Sequence, residues 1–516
     1  MSWASLCPLA EVIPDTGVCA LLHGRQIAIF RCGDSVFALD NHDPASDANV
    51  LSRGIVGDIR GERVVASPLY KHHYSLSTGQ CIEDSAHSVN VYPARIMDGR
   101  IWVNATPQAA RSRRRLVVAG NGMAGMRTVE ELLKLAPEGY DITVFGAEPH
   151  VNYNRILLSP LLAGEKRVDE IILHSQEWYA EHGVTLHMDD PVVRIDRRQR
   201  VVRSRSGLEV PYDRLLIATG SKPVILPIPG VELHGVVTFR DLADVDAMLE
   251  AARCYRKAVV IGGGLLGLEA ANALVRRGME VTVVHLFASL MERQLDESAA
   301  TLLRSSLETR GLRFHMPAKT TAILGERRVT GVRFDDGAQL DADLIVMAAG
   351  VRPNVDLASQ AGLRCERGVL VDDTLQTFDP SIYAVGECVQ HRKNTFGLVA
   401  PLWEQARVCA THLAEVGVSR YRGTLTATQL KVTGIDVYSA GEFANADGAE
   451  TLVLRDARRG IYKRLVIRNN RLRGAILYGD ARDGSWYFDL ITSGTDITAM
   501  RDSLLFGPAL AAEAAG

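Results

Sequence analysis

The spacing of apolar residues changes three times along the chain. Up to about residue 106 the apolar positions fall in short alternating runs, such as Gln26-Ile27-Ala28-Ile29-Phe30 and Ser35-Val36-Phe37-Ala38-Leu39, cut by Gly, Asp and Asn turns. A two-residue period with frequent turns predicts a small all-β sandwich or barrel-like domain. From Leu116 onward, unbroken apolar runs (Leu116-Val117-Val118-Ala119 and Ala258-Val259-Val260-Ile261) each give way to a helical period. That is the alternation of a doubly wound α/β sheet, and it runs through two units. After about residue 420, Glu450-Thr451-Leu452-Val453-Leu454, Tyr462-Lys463-Arg464-Leu465-Val466-Ile467 and Leu472-Arg473-Gly474-Ala475-Ile476-Leu477-Tyr478 predict a mostly antiparallel sheet followed by a helix. The expected architecture is multidomain: an all-β N-terminal domain over 1–106, a first α/β fold over 114–225 and 350–418, a second over 226–349, and a C-terminal α+β domain over 419–516.

Each apolar run leads into a glycine-rich turn: Gly120-Asn121-Gly122-Met123-Ala124-Gly125 in the first unit and Gly262-Gly263-Gly264-Leu265-Leu266-Gly267 in the second. Glycines between a strand and a helix let backbone approach a pyrophosphate at a helix N-terminus, so two nucleotides are expected. Tyr212-Asp213-Arg214-Leu215-Leu216-Ile217-Ala218-Thr219-Gly220-Ser221 reads as a strand ending in a small-residue turn, and Ser381-Ile382-Tyr383-Ala384-Val385-Gly386-Glu387 as a strand ending in Gly and an acid. The second landmark follows the second fingerprint, so the second fold is expected to be inserted into the first.

Composition narrows the class. The 516 residues carry a net charge of −3, which recommends neither nucleic acid nor an anionic membrane as a partner. Hydrophobic residues make up 47% of the chain, yet no window has the unbroken apolar stretch of a membrane-spanning helix. Met1 to Pro8 has no basic segment ahead of an apolar one, and a cytoplasmic protein is expected. The eight cysteines lie in no metal-binding spacing, and none falls between Cys81 and Cys254. Ala105 to Arg115, rich in arginine, is expected to be a solvated linker.

The four landmarks, in this order, resemble the two-dinucleotide flavoprotein reductases, which carry FAD on the first fold and a nicotinamide cofactor on the second. The resemblance implies roles residue by residue. Gly120, Gly122, Met123, Ala124 and Gly125 would hold the FAD pyrophosphate; Glu148 the adenosine ribose; Arg155 and Ser159, in Tyr153-Asn154-Arg155-Ile156-Leu157-Leu158-Ser159, the flavin nucleotide. Ala218, Thr219, Gly220 and Gly350 would border the cofactors, and Gly386 with Glu387 the ribityl chain. Pro401 and Leu402 would begin a helix aimed at the flavin ring, whose N-terminal dipole favours the anionic reduced form. On the second fold Gly262, Gly264, Leu265, Leu266 and Gly267 would hold the nicotinamide dinucleotide, and Glu269 would border the nicotinamide as the catalytic-site acid. The strand Glu280 to Val284 ends in His285, where NADH enzymes usually carry Asp or Glu. No Arg pair follows, which favours NADH, although a histidine also admits the 2′-phosphate of NADPH. No catalytic triad is expected, because hydride transfer needs positioning and exclusion of water.

More narrowly, Leu290-Met291-Glu292-Arg293-Gln294-Leu295-Asp296, Phe396-Gly397-Leu398-Val399-Ala400-Pro401 and Ile461-Tyr462-Lys463-Arg464-Leu465 are similar to the flavin half of the assimilatory NAD(P)H nitrite reductase large subunit and to the assimilatory nitrate reductase electron-transfer subunit. The N-terminal loops Phe37 to Ala45 and Ala66 to Gly79 resemble a Rieske domain of the nitrite reductase small-subunit type. A [2Fe-2S] Rieske centre needs Cys-x-His and Cys-x-x-His, and the matching positions are Asp43, Ala45, Ser67 and Tyr70. No iron-sulfur cluster and no metal site are therefore expected; His42, His72 and His73 read as exposed loop residues. The resemblance implies an FAD-dependent NADH diaphorase. Its partner would be the molybdenum and iron-sulfur catalytic subunit of an assimilatory nitrate reductase, or a separate sirohaem nitrite reductase. A non-catalytic docking or redox-sensing protein is the alternative from another class. A self-contained NADH oxidase or peroxide reductase would need a cysteine facing the flavin.

Overall fold

The computed structural model of the chain describes residues 3–104, 106, 113–430, 432, 434–442 and 448–515. The N-terminal unit is a stack of antiparallel sheets. Its four-stranded sheet runs Val91–Tyr92, Ser35–Asp40, Arg25–Cys32, Thr16–Leu22, flanked by two three-stranded sheets. Alternation along Arg25–Cys32 sends Ile27 and Ile29 into one core with Ile101 and Val103, while Ala28 and Phe30 enter another with Leu39, Val65 and Tyr74. Both faces of that strand are thus buried, as a period of two in a sandwich requires.

The next two units are doubly wound. One parallel sheet has the order Val184–His187, Tyr140–Phe145, Arg114–Ala119, Arg214–Ile217, Ile382–Ala384, and the other Val236–Thr238, Leu344–Met347, Lys257–Ile261, Glu280–Val284, Arg313–His315. The last strand of the first sheet follows the whole second sheet in the chain, so the second fold is an insertion. The chain enters and leaves it through the antiparallel pair Ser221–Pro223 and Val351–Pro353.

The C-terminal unit is a five-stranded antiparallel sheet with the helix Gly484–Ser493 on one face. Its other face buries Val437, Tyr462, Ile476 and Tyr478 against the inserted fold. The Tyr462 hydroxyl donates to Asp296 Oδ2 (2.5 Å), tying the two together.

The N-terminal unit docks at the N-terminal edge of the first parallel sheet. Arg214 Nη2 donates to the Arg60 carbonyl (2.8 Å) and Arg200 Nη2 to the Gly61 carbonyl (2.5 Å), while Arg214 Nη1 lies 3.7 Å from Glu62 Oε2. Of the arginine-rich segment expected to be a linker, residues 105 and 107–112 lie outside the described residues. Arg114 and Arg115 depart from that expectation. They begin the central strand and pair with Glu415 (2.7 Å) and Asp213 (2.6 Å), because side chains at the edge of a buried sheet need counter-charges.

Candidate active site at the junction of two dinucleotide folds

The two glycine turns fold alike for steric reasons. A Cβ on Gly120 would sit inside contact distance of the Ala218 carbonyl, and one on Gly262 would do the same to the Ala348 carbonyl. Gly125 and Gly267 allow the helices to close on the strands: a Cβ on Gly125 would lie 2.8 Å from the Gly120 carbonyl and 2.9 Å from the Ala218 Cβ. Gly122 and Gly264, by contrast, face open space, with nothing within 4 Å of an added Cβ. The outer glycines serve packing, and the middle one keeps room for a ligand beside the helix N-terminus.

That N-terminus is chemically unsatisfied. The helices Met123–Leu135, Leu265–Arg276 and Val399–Leu413 are preceded by Gly122, Gly264 and Leu398, none of which caps with a side chain. The helices Leu242–Cys254 and Glu297–Glu308, in contrast, are capped by Asp241 and Asp296. First-turn N–H groups left without side-chain acceptors attract phosphate and other anions. The residues beginning the helices Met123–Leu135, Leu265–Arg276 and Val399–Leu413 reach one cavity of ≈ 980 Å³ at the C-terminal ends of the first sheet. A dinucleotide fits this donor set and this room.

The first fold contributes most of the cavity wall, including Gly120, Gly122, Met123, Ala124, Glu148, Arg155, Ser159, Ala218, Thr219, Gly220, Gly386, Glu387 and Leu402. The inserted fold supplies Leu265, Leu266 and Glu269, and the C-terminal unit Ala427, Thr428 and Gln429. Gly125, Gly262, Gly264, Gly267, His285, Gly350 and Pro401 are off this wall. Pro401 is the third residue of its helix, which starts at Val399, and it is buried.

Polar side chains cross the cavity. Ser159 Oγ donates to Glu269 Oε2 (2.5 Å), joining the first fold to the inserted one with both residues buried. Glu148 accepts from the Tyr153 hydroxyl (2.6 Å) and from Arg155 Nη2, whose other terminal nitrogen donates to the Arg240 carbonyl (3.1 Å). Burial pushes the Tyr153 phenol far above its ordinary value, and the Glu148 carboxylate adds to this. Glu387 accepts from Ser221 Oγ (2.6 Å) and pairs with Arg240 Nη2 (2.5 Å). Ser221 closes the small-residue turn that follows the Arg214–Ile217 strand, whereas Arg240, Thr428 and Gln429 have no local motif that marks them and are brought here by long-range folding.

No cysteine is on the cavity wall, and all eight are free thiols. Cys388, next in sequence to Glu387, is buried and its thiol is pushed up to about 11 by that burial, so it stays protonated.

In the N-terminal unit the four Rieske-matching positions take a different arrangement. Asp43 is buried and accepts from the Ala45 N–H (3.0 Å), Ser46 Oγ (2.8 Å), Ser67 Oγ (2.5 Å) and the Tyr74 hydroxyl (2.6 Å). Burial works against the ionised form, but hydrogen bonds from Ser67, Tyr74, Ser46 and Ala45 outweigh it and hold the carboxyl below its ordinary range. Tyr70 is 66% exposed. His73 is tied to Glu83 (2.5 Å), and His72 stacks on His87. Among the described residues no group of three or more His, Cys, Asp or Glu is placed to hold a metal ion. One carboxylate, one methyl, one serine hydroxyl and one exposed phenol do not fit a [2Fe-2S] Rieske centre.

Two interleaved dinucleotide folds sharing one cavity define a flavoprotein reductase of the two-nucleotide class. The chain belongs to the pyridine nucleotide-disulphide oxidoreductase family, whose model matches residues 114–412. Residues 2–104 match the Rieske-like [2Fe-2S] domain, and 427–495 the rubredoxin NAD+ reductase C-terminal domain. The chain thus belongs to a family of FAD- and NAD(P)H-binding oxidoreductases. It is 47% identical over 386 residues to a nitrite reductase [NAD(P)H] of Bacillus subtilis, covering 75% of this chain and 48% of that protein. It is 45% identical over 393 residues to the assimilatory nitrate reductase electron transfer subunit of the same organism, covering 76% and 51%. The chain therefore spans about half the length of these relatives. A ferredoxin reductase from Rhodopseudomonas palustris is similar in structure, with TM-score 0.67 and 26% identity over 74% of this chain and 100% of that one. Among the described residues no helix is long and apolar enough to cross a membrane.

Proposed function

We propose that the chain is a cytoplasmic FAD-dependent NADH diaphorase that feeds electrons to the molybdenum and iron-sulfur catalytic subunit of an assimilatory nitrate reductase. The observation that carries this reading is the cavity itself: three uncapped helix N-termini converge on it, a cross-fold Ser159–Glu269 bond closes it, and no thiol faces it. FAD, when bound, supplies the conversion of a two-electron hydride into single-electron transfers. The chain's own residues position and shield. The Met123 helix start and Gly122 cradle the flavin pyrophosphate, Glu148 takes the adenosine ribose, and Glu387, steadied by Arg240 and Ser221, takes the ribityl chain. Glu269 and Ser159 fix the wall on which the nicotinamide stacks. Without a cavity thiol, reducing equivalents have no internal disulphide to enter, so they pass to an acceptor on another protein.

The donor set at Asp43, Ala45, Ser67 and Tyr70 supports an N-terminal unit without a cluster, used for docking. Similarity to a nitrite reductase, at 47% identity, favours a sirohaem nitrite reductase as the second candidate partner. Reconstitution tests both. The chain is mixed anaerobically with each purified catalytic subunit and NADH, and nitrate or nitrite consumption is followed. Turnover that requires both this chain and one partner supports the reading; a chain that supports neither defeats it.

A further inference from the structure

The second fold lacks the acid that normally ends its second strand, and the structure shows what stands in its place. His285, the first residue after Glu280–Val284, is buried, and its Nδ1 accepts a hydrogen bond from the Gly263 N–H (3.1 Å) inside the glycine turn. An Nδ1 that accepts carries no proton, so the proton of the neutral ring sits on Nε2. Nε2 lies 3.1 Å from Glu292 Oε2, which is therefore the acceptor. Both ring nitrogens are used, and the histidine has no acceptor left for a ribose hydroxyl. Glu292 Oε1 has no partner among the described residues.

The loop that carries Glu292 is held against the same turn. The Met291 N–H donates to the Gly263 carbonyl (3.1 Å), and a Cβ on Gly263 would lie 2.8 Å from both His285 Cγ and Leu290 Cδ2. A dinucleotide with its pyrophosphate at the Leu265 helix start places its adenosine ribose at the C-terminal end of the adjacent strand. That is where His285 and Glu292 stand. Between them run Leu286, Phe287, Ala288, Ser289, Leu290 and Met291, with no cation; Arg293 is exposed.

We propose that Glu292, aimed by His285, is the residue that accepts the adenosine 2′-hydroxyl and makes the chain select NADH over NADPH. The glutamate seven residues on takes over the acceptor's work, and the histidine acts as a positioning residue. A 2′-phosphate brought to this place would meet a carboxylate fixed by a buried ring, and like charge at that distance disfavours it. The inference rests on the reading that the inserted fold binds a pyridine dinucleotide.

The test is stopped-flow reduction of the full-length, FAD-loaded protein by NADH, NADPH and NADH lacking the adenosine 2′-hydroxyl, with the flavin band as signal. The wild type should half-saturate at lower NADH than NADPH. Glu292→Gln should raise the NADH half-saturation about tenfold or more, the weight of one charge-assisted hydrogen bond, and narrow the NADH-to-NADPH ratio. The limiting reduction rate should stay near wild type, because the contact is far from the reacting ring. Removal of the 2′-hydroxyl should penalise the wild type and leave Glu292→Gln almost indifferent, and His285→Phe should shift half-saturation the same way. A Glu292→Gln protein that keeps the wild-type ratio and still discriminates against the deoxy analogue overturns the inference. A flavin that neither nucleotide reduces defeats the diaphorase reading instead, and calorimetric NAD+ affinity of the same variants then decides the role of Glu292 by itself.

Discussion

Replacing Arg214 with methionine tests whether the N-terminal unit is locked to the flavin fold by a buried charge pair. Arg214 and Glu62 side chains are each 2% exposed and lie 3.7 Å apart, across the boundary between the two units. Glu62 Oε1 accepts from Ser75 Oγ (2.6 Å), while Oε2 has no hydrogen-bond donor of its own. At 3.7 Å and an effective dielectric constant of about 20, the attraction is about 4 kcal/mol. Removing one member of a buried pair costs about 3–5 kcal/mol, since the other charge is left uncompensated. Arg214→Met should lose that much in urea unfolding at pH 7.5. Burial, with Asp213 nearby, already holds the Glu62 carboxyl above its ordinary value. An acid whose pKa is raised on folding takes up protons as the chain folds, so its contribution is most favourable at low pH and is lost as pH rises toward the folded value. The variant should therefore recover part of its stability near pH 5, and Glu62→Gln in the Arg214→Met background should recover most of it at pH 7.5. A variant within about 0.5 kcal/mol of wild type, or a double variant no better than the single one, would show that the pair does not hold the two units together.

Further outcomes follow from other sites. Gly122 and Gly264 have φ of −86° and open space beside them, so valine is tolerated by the fold. Gly122→Val should purify folded with most FAD lost, whereas Gly264→Val should keep FAD and need about tenfold more NADH to reduce it, by flavin absorbance and stopped flow. Asp43→Ala orphans Ser67 Oγ and the Tyr74 hydroxyl, both on buried residues, and should cost about 2–5 kcal/mol in urea unfolding while leaving NADH reduction of the flavin unchanged. Glu269→Ala breaks the Ser159 bond across the cavity and should slow the limiting reduction rate at least about tenfold in stopped flow, with flavin content intact.

The fold was largely legible because its signals are local. A glycine turn between an apolar run and a helical period announces itself within a dozen residues, and both copies fold as read. The inserted second fold was equally readable, since Gly386 and Glu387 return after it. What stayed hidden depends on contacts far apart in the chain. Arg240 meets Glu387 across 147 positions, and Ser159 meets Glu269 across 110, with no spacing rule to signal either. Thr428 and Gln429 reach the cavity only because the C-terminal sheet packs on the inserted fold. Arg114 and Arg115 read as linker because a run of arginines looks solvated until Glu415 and Asp213 are brought beside it. His285 was legible as a departure from the usual acid, whereas its dependence on Glu292 required the loop geometry.

In the function proposed, this polypeptide receives reducing equivalents from NADH and hands them to another protein. Anaerobic titration of the purified, FAD-loaded chain with NADH, in the presence of nitrate and then nitrite, tests it most directly. The flavin band should bleach with about one NADH per FAD, and neither oxyanion should be consumed until a catalytic partner is added. A flavin that stays oxidised, or nitrite converted to ammonium by the chain alone, would contradict it.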